Sequence, residues 1–438
     1  MRKSTGPGLL FAILVSGCSA PAQDSSADVG DRADARDWPP PAYLVADAMF
    51  ESLPEVRWDE SGVLVLSGPD GTQPIALDPG AGNEVPFRPQ PETARDEARV
   101  VRPGLFAHRR PVLELPSPDR ASFAGTSDGE VLLRTAGSDE RQRLAGGEGD
   151  DNGFDIEGAK WSPDGRRLAI KWMDARGEPT IPLIRYDEPG EPVDSFPYSY
   201  VGDPIPSAGL FIVGGDGSQP VRVELGGMEA PYLYIVGWSA SSDSVFFLRS
   251  SRFTDRVEFR VADATTGASR LILAEKSDTY IVGLPLLHGN DAQLDDGASP
   301  VRLLPDGRFV WISERDGWTR VYLYGANGEL LRALSPEGTE VGLVAGIDTE
   351  RGWLYFTARI HPGRPYDETL LRVPLSGGEP QTIVAGPFFD TIEFDPDFEH
   401  FWTMRTGADM PPVLELFRSD GTRVRELRSS AEVAREAG

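Results

Sequence analysis

The sequence of 438 residues holds a single cysteine, Cys18. One thiol excludes an intrachain disulfide framework and any cysteine-built metal site. Lysine is almost as scarce, occurring only at 3, 160, 171 and 276, so nearly every cation is an arginine. The 43 Lys and Arg residues stand against 69 Asp and Glu, a net charge of −26. No basic stripe interrupts that balance, which excludes nucleic acid as a partner. Long apolar runs are missing too: Leu9–Val15 is a short one and cannot span a bilayer. Helical periodicity is confined to YLVADAMFESL (43–53) and SSAEVAREA (429–437). Elsewhere short alternating apolar runs lie between Gly- and Pro-containing turns, which is the pattern of strands.

The N-terminus carries the most specific local signal. Arg2 and Lys3, the apolar run and the small residues before Cys18 make residues 1–17 a secretory signal. Val15-Ser16-Gly17-Cys18 resembles a bacterial lipobox, which implies lipidation of Cys18 and a lipid membrane as partner. Ser19 after the cysteine implies, by the same resemblance, an outer-membrane lipoprotein on the periplasmic or extracellular face. Residues 18–42 are rich in Ala, Asp, Ser and Pro, with Trp38 their one aromatic, and read as a flexible tether.

Beyond residue 43 the chain repeats itself. An apolar-x-aromatic lead, a turn of the S-P-D-G type and an alternating strand recur seven times. The copies are VRWDESGVLVL at 56, LPSPDRASFAG at 115, AKWSPDGRRLAIKW at 159 and VGWSASSDSVFFL at 236, then RLLPDGRFVWIS at 302, AGIDTERGWLYFTA at 345 and IEFDPDFEHFWTM at 392. A second hairpin follows most copies, as in LYGANGELLRAL (323–334) and FRSDGTRVREL (417–427). Two hairpins per repeat make a four-stranded antiparallel sheet, and a period in the forties to fifties makes that sheet a propeller blade. The expected fold is therefore all-β, a β-propeller with seven visible blades. The aromatic before each turn is expected to pack between adjacent blades. Longer gaps after 159 and 236 leave room for large loops or a further irregular blade.

WISERDGWTRVYLYGANGELLRAL (311–334) resembles the signature of the dipeptidyl peptidase IV N-terminal propeller, in the prolyl oligopeptidase family of serine peptidases. AKWSPDGRRLAI, FPYSYVGDPIPSAGLFIV (196–213), RPYDETLLRVPLSGG (364–378) and MPPVLELFRSDGT (410–422) match it in order. The resemblance covers about 43–428 and implies eight blades; it makes 429–438 the remnant of a linker. It also implies a C-terminal α/β-hydrolase domain carrying Ser, Asp and His, which would begin where this sequence stops.

A nucleophile needs a base oriented by an acid. Ser239 in GWSAS falls one glycine short of the G-x-S-x-G elbow, and a strand rather than a helix follows it. Its place in the repeat matches that of Ser162 in W-S-P-D-G, a turn residue. His108, His288, His361 and His400 read as loop or packing residues, so no catalytic residue is assigned. EGDDNGFDIEGA (148–159) partly resembles a calcium loop, with Glu148, Asp150 and Asn152 at alternate positions but Ala159 where a bidentate Glu belongs. A solvated acidic loop is the expectation there, with no metal and no cofactor. In SERDGW, Glu314, Arg315 and Asp316 are expected to brace a turn with Trp318 packed beneath them.

The family resemblance further implies that adjacent glutamates before a W-S-P-D-G strand capture the free amino terminus of a peptide. A triple-donor ammonium suits two close carboxylates. In NGFDIEGAKWSPDG the candidates are Asp155 and Glu157, alternating rather than adjacent. The expected function is the substrate-gating, peptide-positioning part of a dipeptidyl peptidase IV-like serine peptidase, acting in proteolysis but catalytically incomplete as this chain. Its partners are then peptides with a free N-terminus and a separately encoded hydrolase domain. The alternative is a stand-alone lipid-anchored binding propeller. A propeller glycosidase would need paired inward carboxylates, which the sequence does not locate.

Overall fold

The computed structural model describes residues 54–428 apart from 60, 68–73, 87–113, 150, 185–192, 229–231, 282–299, 362, 387 and 408–409. The signal, lipobox and tether, both helical segments, and His108 and His288 lie outside the described residues. Among the described residues every helix or strand element is a strand. They form seven four-stranded antiparallel sheets and one two-stranded hairpin. The sheets are the blades of a β-propeller, at 55–85, 115–145, 152–222, 232–276, 301–333, 340–385 and 388–428. All seven turns expected from the repeat join the first two strands of a blade. In the long gap after 159 the hairpin Thr180–Ile184 with Val193–Pro197 is inserted inside the third blade, between its second and third strands.

The turn has one recurring geometry. In the third blade Gly165 N–H donates to the Ser162 carbonyl at 2.8 Å, and Gly165 sits at φ +68°. That left-handed position costs glycine nothing. The same bond and the same sign of φ recur at Arg120 (+55°), Ser242 (+61°) and Phe398 (+53°), where the other copies carry no glycine. The repeat is thus conserved in backbone where it is blurred in sequence.

The chain divides into two compact units. One holds blades two to five, residues 89–344 with 374–379. Its core lies between neighbouring blades: Val131, Leu144, Leu168 and Val213 join the second to the third, and Ile212, Ile235, Phe247 and Ala262 join the third to the fourth. Phe259, Phe309, Trp311 and Tyr322 join the fourth to the fifth. Trp161 Nε1–H donates to the Leu115 carbonyl at 3.0 Å, and Trp238 Nε1–H to that of Lys160 at 2.9 Å. The aromatic before the turn therefore ties the third and fourth blades each to the preceding one, as its place in the repeat predicts.

The other unit holds the first and seventh blades and most of the sixth. Tyr355, Leu370, Phe389 and Phe401 pack the sixth on the seventh. Leu64 and Leu77 of the first blade pack on Trp402, Leu414 and Leu416 of the seventh. Every strand of these two blades comes from its own stretch of chain, so side chains and a few hydrogen bonds hold the chain's two ends together.

Candidate functional site

Acidic residues concentrate where the second blade leads into the third. The loop after Ala145 folds on itself: Glu148 N–H donates to the Asn152 carbonyl at 2.8 Å, and the Asn152 amide Nδ2 donates to Glu148 Oε2 at 2.7 Å. Phe154 N–H reaches the Gly129 carbonyl of the second blade at 2.8 Å. Backbones touch here, since a Cβ on Gly153 would come within 2.3 Å of the Gly129 Cα. Only glycine permits that approach. Arg176 anchors the loop's other side, donating to Glu148 Oε2 at 3.2 Å and gripping Asp174 at 2.8 and 2.6 Å. Those hydrogen bonds hold the Asp174 carboxyl down at about 2. Glu148, first residue of the calcium-like pattern, thus spends its carboxylate on an amide and a guanidinium; Asp150 lies outside the described residues.

The strand Asn152–Trp161 carries both proposed amine ligands. Asp155 stands directly opposite Lys171, and Lys160 opposite Ala169, so residues 156–159 bulge out of register with Gly158 at φ +73°. Asp155 Oδ1 accepts the backbone N–H of Glu157 at 3.0 Å. The two acids sit together in the bulge, both half-buried, rather than on one face of a flat strand. Two of the four lysines flank them in sequence and register. Just ahead of them in sequence, Asp150 and Asp151 are adjacent acids. Asp151 is exposed, and its carbonyl accepts Ala175 N–H at 2.7 Å. Its side chain makes no hydrogen bond or ion pair among the described residues.

Ser239 is part of a turn. Its hydroxyl donates to Asp243 Oδ1 at 2.8 Å and accepts from Ser244 N–H at 3.1 Å. Ser162 does the same with Asp164 (2.6 Å) and Arg167 N–H (3.0 Å), and Ser117 with Asp119 (2.7 Å) and Ser122 N–H (3.0 Å). The serine hydroxyls hold Asp119, Asp164 and Asp243 below the usual carboxylate range. A hydroxyl that donates to a carboxylate and accepts a backbone amide is a structural group, and among the described residues no imidazole is a partner of Ser239. His400 is buried with Nδ1 3.2 Å from Asp395 Oδ2, and His361 is exposed in a loop.

SERDGW braces more than its own turn. Glu275, on the outer strand of the fourth blade, accepts Trp311 Nε1–H (2.8 Å), the Ser313 hydroxyl (2.7 Å) and Arg315 Nη2–H (2.9 Å) of the fifth. Asp316 accepts the Tyr322 hydroxyl at 2.6 Å and Arg320 Nη1–H at 2.8 Å. The expectation for Trp318 is corrected: it is 49% exposed, not packed beneath the turn, and the Arg315 guanidinium lies over the Tyr322 ring instead, 4.6 Å from its centroid. Glu275 was invisible beforehand, because nothing in a glutamate 40 positions away marks it as the acceptor.

The fold is a propeller whose third blade is entered through an acidic loop that glycines pack closely against the second blade. A family model described as the dipeptidyl peptidase IV N-terminal region matches residues 155–412. The chain belongs to that family. Venom dipeptidyl peptidase 4 of Vespa velutina is 25% identical over 292 residues, which is 60% of this chain and 35% of the relative. Dipeptidyl peptidase 4 of Trichophyton rubrum is 25% identical over 213 residues, 46% of this chain and 26% of the relative. The chain thus spans about a third or less of these curated relatives' length. The crystal structure of Porphyromonas gingivalis dipeptidyl peptidase 4 shares the fold with a TM-score of 0.63 at 16% identity, over 87% of this chain and 51% of that one.

Proposed function

We propose that this chain is the peptide-positioning propeller of a dipeptidyl peptidase IV-like serine peptidase. The match of residues 155–412 to the dipeptidyl peptidase IV N-terminal region supports the reading, and the exposed carboxylate of Asp151 just ahead of it carries the amine site. The free ammonium of a peptide docks on carboxylates before the W-S-P-D-G turn. Asp151, exposed and unpaired among the described residues, is the first acceptor, with its neighbour in sequence Asp150 and with Asp155 and Glu157 behind it. Bond cleavage belongs to a Ser-Asp-His hydrolase domain; among the described residues Ser239 is engaged in its turn and His400 with Asp395. Lipidation at Cys18 would hold the propeller at the outer membrane, where extracytoplasmic peptides arrive.

The test is binding of a fluorescent peptide with a free N-terminus against its N-acetylated twin. The expected result is saturable binding by the free peptide, weakened about tenfold or more by acetylation and by Asp151→Asn. Asp155→Asn and Glu157→Gln separate the inner acids from the outer one. Equal binding of both peptides would overturn amine capture. A stand-alone binding propeller is supported instead if the chain binds protein partners while no hydrolase domain restores turnover of an X-Pro chromogenic dipeptide.

A further inference from the structure

A polar cavity lies at the outer edge of the third blade, beside its short strand Val221–Arg222, whereas the acidic loop leads into the strand at the sheet's other edge. Its volume is about 390 Å³, and Arg222, Glu224, Leu225, Gly226 and Met228 are among its walls. That size lies within the roughly 300–1,000 Å³ typical of small-molecule sites. Arg222 and Glu224 are both exposed while Val223 between them is buried, so the two charged side chains leave the backbone on the same side. Residues two apart in an extended chain are separated by about 6.6 Å. The pair makes no ion pair with one another, and neither side chain has any other partner among the described residues. Opposite charges left unpaired at this spacing, with the apolar Leu225 and Met228 beside them, are complementary to a molecule that carries both charges itself.

The wall behind Gly226 adds a positive field. The Arg249 guanidinium lies so near that a Cβ on Gly226 would fall 3.0 Å from its Nη1, and this buried Nη1 has no hydrogen-bond partner. Arg249, Arg256 and Arg260 all pair with the one buried carboxylate of Glu258, leaving an excess of cations in a chain of net charge −26. Arg222 itself is the partner for a ligand's carboxylate and Glu224 for its ammonium; the Arg249 guanidinium, beside Gly226 and so nearer Glu224, does not set that direction.

We propose that this cavity binds a short zwitterionic peptide, of dipeptide length, with its C-terminal carboxylate on Arg222, its ammonium on Glu224 and an apolar side chain against Leu225 and Met228. A dipeptide sets its two charges about two residue spacings apart, as the protein does here. The site shares no residue with the amine-capture reading, so either can fail alone.

The experiment is calorimetric titration of the full chain with glycyl-leucine. Saturable binding is expected, weakened about tenfold by Arg222→Gln and about tenfold by Glu224→Gln, since each removes one charge-assisted contact. The N-acetylated peptide should be insensitive to Glu224→Gln, and the C-terminal amide insensitive to Arg222→Gln. Because glycyl-leucine also carries a free N-terminus, the titrations are repeated in the Asp151→Asn background, where the effects of Arg222→Gln and Glu224→Gln should persist. Both substitutions are at exposed positions, and unchanged circular dichroism verifies that the fold is retained. Absence of saturable binding in the Asp151→Asn background, or binding there that both variants leave intact, overturns the proposal.

Discussion

Trp58 Nε1–H donates to the backbone carbonyl of Glu393, 335 positions further along the chain, at 3.2 Å. Trp161 and Trp238 make the same bond to Leu115 and Lys160, one blade back in each case. Leu115, Lys160 and Glu393 all stand immediately before the residue that leads into their blade's turn. For Trp58 the blade one back is the last in the chain, so the contact that links consecutive repeats also joins the first blade to the seventh.

Replacing Trp58 with Phe keeps an aromatic ring but removes the donor. We expect a loss of about 1–2 kcal/mol in equilibrium urea denaturation, comparable with Trp161→Phe and Trp238→Phe. If Trp58→Phe costs nothing while the other two do, the hydrogen bond contributes nothing to joining the first and last blades.

Three of the seven turns that join a blade's first two strands place a residue with a side chain in the left-handed region: Arg120, Ser242 and Phe398. Such a conformation costs a non-glycine residue about 1–2 kcal/mol, partly offset in a glycine variant by greater unfolded-chain entropy. Arg120→Gly should stabilise the protein by several tenths to about 1 kcal/mol, read from the shift in urea midpoint, and Ser242→Gly by less, because it loses the hydroxyl that accepts Asp164 N–H at 3.1 Å. The same change at Phe398 should help less, because its ring stacks on Phe394 at 5.0 Å.

Ser239→Ala should leave peptide binding untouched and lower stability by about 1 kcal/mol, as should Ser162→Ala. The serine hydroxyl bonds depress the carboxyls of Asp164 and Asp243, so this stabilisation is present above the ordinary carboxylate value of 3.8 and is lost as pH falls through the lower folded values. Acid unfolding of the variants should therefore begin at a higher pH than in the parent. Identical acid profiles would rule out the hydroxyls as the cause.

Burial and the hydrogen bond to Asp316 push the Tyr322 phenol up to about 12 from 10.0. The raised value favours the neutral phenol in the folded state, so its contribution is complete below pH 10 and is lost as pH rises toward 12. Tyrosinate absorbance should show a late step that Tyr322→Phe removes. Asp316→Asn should move that step down in pH.

Local chemistry made the blades legible. Pro, Asp and Gly in the turns, alternating apolar strands and an aromatic at a fixed offset act over a few residues, so the repeat and its family resemblance could be read directly from the chain. The structural role of Ser239 was readable for the same reason, as its hydrogen bonds close within five positions. What the sequence left open involves partners far apart in the chain or departures from regular strand geometry. Trp58 and Glu393, Glu275 and Arg315, and the unpaired Arg222 and Glu224 beside Gly226 and Arg249 acquire meaning only when blades are brought together. The amine-site acids show the second kind of limit: alternation assigns Asp155 and Glu157 to one face, but a bulge at 156–159 re-aims them and leaves Asp151 as the exposed carboxylate. The sequence by itself determined the repeating unit, because turn and strand preferences are short-range; tertiary structure decided which polar groups are spent on packing and which remain open to a ligand, because that depends on the neighbouring blade.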